Sequence, residues 1–454
     1  MQTSPAQRLL RWQTVTLGTL LVGYVGYYIC RSNLSIATPS ILQEFGPAGW
    51  DKKSLGLITS IGTFVYALGK ISNGFLADFF SSRRLFLLGM VGSVFCTLAM
   101  GLGTTFGVFL VAWSCNRFFQ SAGWGALVKL ASRWFPLQRH GLVMAVLCLS
   151  YLPGDGLARL FLSLTLWQFE QSQQGSASEL AQSVETLQPW RGMFFVAAAV
   201  LSIIAIASWF VLKESPSDVG ADEPPANPRN VFHDRDAEQQ KQFRVRDVLG
   251  QLLRSASFWL VLLMSLGLTL VREAFNTWTP TYLVEVCQLS KAQAGMSSAI
   301  IPMIGGVPAL VAGLLADRLA QRGRGLIMLA SLTLMSVALA FLARVPVGAE
   351  AWIPLAFMCA TYFFLIGPYT FLTGVISLDF GGKRGAATAA GLTDAAGYLG
   401  AVLSGYWIGG IAQTRGWSPA FGVLATAGMG TTVAALAFWL WHDLRLFRSA
   451  NADR

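Results

Sequence analysis

The chain has 454 residues, 54% of them hydrophobic and only 12% charged, with a formal net charge of +10 at neutral pH. A soluble domain carries about 25% charged residues to hydrate its surface, so a water-facing globular fold is excluded. The basic excess does not point to nucleic acid, because Lys and Arg gather at alternate connections between apolar stretches.

Stretches such as 85–102, 193–212 and 420–441 are each long enough to cross a hydrocarbon core of about 30 Å, which takes about 20 helical residues. Lipid offers no partner to a free backbone N–H or C=O, so repeated crossings mean helices. In chain order the predicted spans are 14–41, 54–77, 85–104, 106–132, 140–167, 190–212, 255–285, 292–316, 325–344, 351–378, 384–412 and 418–441. The class that follows is an all-α membrane protein with 12 transmembrane helices in two pseudo-symmetric six-helix bundles. Residues 1–12 form a short amphipathic lead with Arg8 and Arg11, and the first span reads as retained rather than as a cleaved signal.

Basic residues cluster at Arg83/Arg84, Arg133/Arg139, 213–254, Arg318/Arg322/Arg324, Lys383/Arg384 and Arg445/Arg448/Arg454, while connections such as 103–107 carry none. That alternation places both termini and the central loop in the cytoplasm, with a bacterial inner membrane as the expected location. The segment after the sixth span has Pro, Asp, Glu and Gln but no apolar period, so it cannot bury a core. The expected organisation is residues 1–212 as an N-terminal bundle, 213–253 as a cytoplasmic linker and 254–454 as a C-terminal bundle.

The halves repeat. Arg31, Thr38-Pro39, Leu42 and Glu44 around the first span match Arg272, Thr279-Pro280, Leu283 and Glu285 around the seventh, 241 residues on. A second match sets Gly74-x-x-x-Asp78 with Arg83/Arg84 against Gly313-x-x-x-Asp317-Arg318 with Arg322/Arg324, at an offset of 239. Parallel repeats of this kind put a substrate site near the midplane between the halves. The Asp78/Arg84 and Asp317/Arg318/Arg322 elements read as a cytoplasmic gate, with an ordinary positively charged loop as the simpler alternative.

Charges inside the spans carry the functional signal, since each costs about 2.5–3.5 kcal/mol at the bilayer centre even on the gentlest scale. Six are basic (Arg31, Lys70, Arg117, Lys129, Arg159, Arg272) and three acidic (Asp155, Glu273, Asp394), an imbalance that predicts an anionic ligand. Arg31 and Arg272 are the leading candidates, because each guanidinium can donate two parallel hydrogen bonds to phosphate oxygens. Lys70 shares a helix face with Tyr66, four residues earlier, and Tyr24 and Tyr28 lie on the face of Arg31. Asp155 and Arg159, four apart, are expected to pair with each other, with Asp155 as an alternative coupling group. Glu273 follows Arg272 about 100° further around the helix and therefore need not neutralise it. The sequence does not assign partners to Asp394 and Arg117. Small-residue runs such as 397–400 suit close helix packing. The six cysteines and three histidines lack metal-ligand spacing, and no nucleophile–base set emerges, so neither a metal, a cofactor nor an enzymatic activity is expected.

Tyr24-Val-Gly-Tyr27-Tyr28-Ile-Cys-Arg31-Ser-Asn33, Tyr66-Ala-Leu-Gly-Lys70, Phe119-Gln120-Ser-Ala-Gly123-Trp124, Arg272…Trp278-Thr-Pro280-Thr-Tyr282-Leu and Gly391…Gly397-Tyr398-Leu-Gly400 resemble the organophosphate:phosphate antiporters of the major facilitator superfamily. The resemblance runs through both halves. It implies that Arg31 and Arg272 grip a phosphate with Lys70, Tyr24, Tyr28 and Tyr66 around it, and that a phosphate ester exchanges for inorganic phosphate as the halves rock, the chain acting as a monomer in the bilayer. The family also contains a hexose-phosphate sensor, and an ion-coupled carrier of another anion, with Asp155, Glu273 or Asp394 titrating, is the further alternative. The chain departs from the glycerol-3-phosphate branch at Ser150, where that branch has a histidine, at Arg117, where it has a small residue, and at Trp124-Gly125, where it has Trp-Pro. These departures lie where a substrate would be selected, and Ser150, Asp155, Arg159, Glu273 and Asp394 are the candidates for coupling or substrate selection.

Overall fold

The computed structural model describes residues 5–79, 81–136, 143, 146–147, 149–175, 188–222, 250, 252–308, 311, 324–372 and 376–443. Among these, thirteen α-helices occur in chain order and no strand: α1 (Pro5–Phe45), α2 (Lys52–Phe79), α3 (Ser82–Leu102), α4 (Phe106–Trp134), α5 (Pro153–Gly175), α6 (Pro189–Val211), α7 (Ala256–Cys287), α8 (Lys291–Ser298), an unnumbered turn-length helix (Ile300–Ile304), α9 (Arg324–Leu342), α10 (Trp352–Phe371), α11 (Ser377–Arg415) and α12 (Trp417–Phe438). Eight of them (α2, α3, α6, α7 and α9 to α12) are long and apolar enough to cross a membrane. α1, α4 and α5 are as long but are not among the eight; they carry Arg31, Arg117 with Lys129, and Asp155 with Arg159 among their residues. Large apolar side chains on the outer faces, among them Ile71, Phe95, Ile203, Phe210 and Val433, are at least 65% exposed, as a lipid-facing surface requires.

The duplication read in the sequence recurs in the packing. α3 packs on α4 and α6, and α1 on α5 and α6; six helices later, α9 packs on α10 and α12, and α7 on α11 and α12. Both Thr-Pro pairs sit inside helices, at Pro39 in α1 and Pro280 in α7. A proline removes one donor from the helical ladder, and the preceding threonine bonds backwards in both copies: Thr38 Oγ1 to Leu34 O and Thr279 Oγ1 to Phe275 O, each 2.8 Å. The glycines at 397 and 400 allow α11 to touch α7. A Cβ on Gly400 would lie 2.1 Å from Leu266 O, and one on Gly397 2.7 Å from Thr269 Oγ1.

Two predicted spans are interrupted. The expected 140–167 helix is broken by a turn over 149–152, where Gly154 N bonds back to Leu149 O, and α5 starts only at Pro153. Pro153, which lacks an N–H, takes the first position of the new helix, where that donor would have no intrahelical partner. The eighth span breaks after Ser298, where the Ala299 N–H turns back to Met296 and Ser297, and a short helix restarts around Pro302. The first helix, conversely, begins at Pro5, so much of the amphipathic lead is its first two turns; Gln13 there donates to Trp134 O at 2.8 Å.

The chain forms two compact units. The first comprises Met1–Trp50, Leu57–Asn227 and Leu289–Met303, and the second Asp51–Gly56, Pro228–Gln288 and Ile304–Arg454. Each unit therefore contains a short segment from the opposite half of the sequence. The segment 223–249 of the expected linker lies outside the described residues.

Candidate substrate site

Arg31 and Arg272 stand fourteen and fifteen residues before the ends of α1 and α7, which is about 21 and 22 Å of helix. Both are therefore set near mid-span in their own unit, where an unsolvated charge needs polar company.

In the first unit Arg31 is braced by neutral groups. Its Nε donates to Gln120 Oε1 at 2.9 Å and its Nη2 to Tyr66 Oη at 3.3 Å, while its guanidinium carbon lies 4.6 Å from the Tyr28 ring centroid and 5.0 Å from that of Tyr66. Gln120 is itself oriented: its Nε2 donates to Asn116 Oδ1 at 2.7 Å, and Asn116 Nδ2 donates to Cys30 O at 3.0 Å. This chain of amides fixes the guanidinium plane from behind α1. Lys70 Nζ lies 5.7 Å from the Tyr66 centroid, and the Arg117 guanidinium lies 4.5 Å from it and 5.9 Å from the ring of Trp113. Three cations thus converge on one phenol. Each such contact with a ring face contributes about 0.5–2 kcal/mol. Tyr24, buried, packs on Tyr27, Tyr28 and Trp124 with centroids 5.4–5.8 Å away, and Trp124 meets Tyr151 at 5.6 Å.

In the second unit Arg272 is stacked 4.4 Å from the Tyr369 centroid, with Tyr362 and Tyr398 among its electrostatic neighbours. Glu273 corrects a sequence expectation. Despite the 100° step around the helix, Glu273 Oε1 accepts from Arg272 Nε at 3.1 Å and from Nη2 at 3.0 Å, and also from Asn276 Nδ2 at 3.4 Å. Both side chains are long enough to bend across that step, and a half-buried charge favours its nearest counter-ion.

Asp155 and Arg159 pair as expected, Nε to Oδ2 at 3.1 Å, and Ser32 Oγ donates to the other Asp155 oxygen at 2.5 Å. The pair consequently ties α5 to α1, one residue from Arg31. Ser150 is buried with its hydroxyl on Leu147 O at 2.5 Å. Asp394 lies half-buried on α11, one residue after Thr393, whose carbonyl accepts Ser265 Oγ at 2.7 Å. Of the expected gate, Arg84 is exposed with its N–H on Ser81 Oγ at 3.2 Å. The side chain of Asp78 and residues Asp317, Arg318 and Arg322 lie outside what the structure describes. An acid the sequence reading passed over works at that end of the first unit: Glu214 accepts Ser81 Oγ, the Ser82 and Arg83 N–H groups, and Arg133 Nη1 at 2.6–3.1 Å. It holds the positive first turn of α3, the place where a carboxylate is most useful. The Gln120–Asn116 brace was detectable in principle, as two amides four residues apart in an otherwise apolar span.

A sequence profile of the Major Facilitator Superfamily matches residues 20–405. The chain belongs to that superfamily. Relatives along nearly the whole length include a protein of Chlamydia trachomatis serovar D described as a probable hexose phosphate transport protein, 24% identical over 94% of this chain and 91% of the relative. The glycerol-3-phosphate transporter of Bacillus subtilis is 24% identical over 96% and 93%, and the membrane sensor protein UhpC of Escherichia coli is 24% identical over 94% and 92%. Among solved structures, a bacterial homologue of the human lysosomal transporter Spinster, in an inward-facing and unoccupied conformation, superposes with a TM-score of 0.72 at 15% identity, covering 94% of this chain and 96% of the other. The superfamily fold is thereby established, and the protein is an integral multi-pass membrane protein.

Proposed function

We propose that this superfamily member is a secondary active transporter that carries a small organic phosphate, in exchange for inorganic phosphate, by alternating access. The observation that carries this reading is the pair of repeat-equivalent arginines, each at the same depth in its unit and each presented against tyrosine rings. A pair of guanidinium forks suits the tetrahedral oxygens of a phosphate. The names of the relatives support the same substrate class. In this reading Arg31 and Arg272 grip the phosphate, with Lys70, Tyr28 and Tyr66 beside it and Tyr24 supporting them. Ser150, Asp155, Arg159 and Asp394 shape the choice of organic moiety, and the Asp78/Arg84 and Asp317/Arg318/Arg322 elements gate the cytoplasmic side. Residues 213–253 link the two halves, both termini face the cytoplasm of a bacterial inner membrane, and a monomer suffices. Like charges held in a low-dielectric site disfavour the empty carrier's return, so exchange rather than uniport follows.

Proteoliposomes loaded with inorganic phosphate and offered labelled phosphate test the reading, with unlabelled triose, glycerol and hexose phosphates as competitors. Phosphate-dependent counterflow, inhibited by one of the esters, is expected. Net uptake that depends on pH and needs no internal phosphate would instead identify an ion-coupled carrier. The likeness to UhpC favours one further reading, a transporter-like sensor of a phosphorylated sugar; saturable binding of the ester with no counterflow would select it.

A further inference from the structure

The repeat continues past the arginines to the ends of α1 and α7. Glu44 is the penultimate residue of α1, and Glu285, its counterpart 241 residues on, lies in the last turn of α7. Each accepts an indole N–H from the start of the last helix of its own half. Trp190 Nε1 reaches Glu44 Oε2 at 2.6 Å, and Trp417 Nε1 reaches Glu285 Oε2 at 2.7 Å.

The cation completing each carboxylate is different. Glu44 takes Arg191, the residue after Trp190, with Nη2 to Oε1 at 2.8 Å; Arg191 Nη1 also donates to Gly101 O and Gly103 O at 2.9 and 2.7 Å. That guanidinium is held by three acceptors, all from its own half of the sequence. The residue after Trp417 is the uncharged Ser418, so the second half has no equivalent. Glu285 takes Lys52 instead, whose Nζ lies 3.0 and 2.7 Å from the two carboxylate oxygens and 5.4 Å from the Trp417 ring centroid. Lys52 begins α2 and belongs by sequence to the first half, yet residues Asp51–Gly56 are part of the second compact unit.

The exchange is reciprocal. Lys291, 239 residues after Lys52, likewise begins its helix, α8, and lies in the segment Leu289–Met303 that is part of the first unit. Glu44 being already engaged, Lys291 donates to its neighbour Gln43 and interacts electrostatically with Glu170. Burial lowers the pKa of the Lys291 ammonium and raises that of the Glu170 carboxyl, each partly opposed by the other, so this second contact is the poorer one.

We propose that the repeat-equivalent lysines Lys52 and Lys291 form an asymmetric latch, in which release of Lys52 from Glu285 frees the start of α2 from the last turn of α7 and is the step that opens the carrier at those helix ends. A lysine suits a bolt, because its ammonium is a point charge on a flexible stem that leaves by rotation about single bonds. Arg191 suits a permanent staple, because withdrawing it would orphan two carbonyls and a carboxylate at once. One turn on from Lys52, α2 packs closely on α11: a Cβ on Gly56 would lie 2.4 Å from Gly405 O, and Ser404 beside it is buried, its carbonyl accepting the Trp278 Nε1 hydrogen. The latch rests on the alternating-access reading and on no particular substrate.

A cysteine at Ser404 reports on the latch. Labelling of Ser404→Cys by a membrane-impermeant maleimide, from the face opposite the N-terminus and without substrate, is compared across variants after subtracting labelling of the native cysteines. Lys52→Ala and Glu285→Gln are each expected to speed labelling about two- to fivefold, the range a partly exposed ion pair supports. The exchange Lys52→Glu with Glu285→Lys should restore the parental rate, and Lys291→Ala should change it less than Lys52→Ala does. Should Lys52→Ala not be recovered folded, Glu285→Gln reads the same contact. Labelling unchanged in both Lys52→Ala and Glu285→Gln, or as fast in Lys291→Ala as in Lys52→Ala, overturns the proposal. Because no phosphate is present, a chain that fails to exchange phosphate but responds here keeps its latch and loses only its substrate assignment.

Discussion

Arg31 and Arg272 occupy equivalent positions in a duplicated chain, yet they are held by opposite means. Arg31 is oriented by neutral groups, the Gln120 carbonyl and the Tyr66 hydroxyl, and so keeps its full charge for a ligand. Arg272 leans on a carboxylate, Glu273, from which an incoming anion must draw it or with which it must share. Duplication thus preserved where the cation stands and changed what it costs to use it. Under the proposed phosphate grip, Arg31 is the half that meets the anion unopposed, and Arg272 is the half whose counter-ion competes with the substrate.

That contrast can be broken in three ways, taken by size of effect. Replacing the fork by a point charge should hurt the two sites unequally. Arg31→Lys removes the parallel donors that Gln120 and Tyr66 align, and should lower kcat/KM for phosphate exchange by about tenfold or more. Arg272→Lys keeps a cation that Glu273 can still hold and should lose distinctly less; equal losses in initial-rate measurements would erase the asymmetry. Next, Gln120→Leu leaves Arg31 in place but deprives its Nε of an acceptor, and should raise KM about fivefold with kcat little changed. Smallest, and opposite in sign, Glu273→Gln removes the competing charge and should lower KM for phosphate about two- to threefold. A raised KM in that variant would show that Glu273 helps the anion instead of competing with it.

How far the sequence carried this account depended on whether a feature repeats. The arginines, the Thr-Pro pairs and Glu44/Glu285 were legible because two copies 241 residues apart fix a register that one copy cannot. The Asp155–Arg159 pair followed from i,i+4 spacing. Glu273 did not follow from its spacing, since helical geometry sets where a Cβ points and says little about the far end of two flexible side chains. The breaks before Pro153 and around Pro302 were masked by apolar composition, which continues across a turn that the backbone cannot. Gln120 and Glu214 act through partners 89 and more than 80 residues away, and only the fold brings such groups together.

The most direct test of the central claim is phosphate-for-phosphate exchange in proteoliposomes carrying either Arg31→Ala or Arg272→Ala. Each guanidinium is expected to contribute two charge-assisted hydrogen bonds to the bound anion, so each variant should exchange at about one hundredth of the parental rate or less while remaining folded. Undiminished exchange in either variant would contradict the paired-arginine grip.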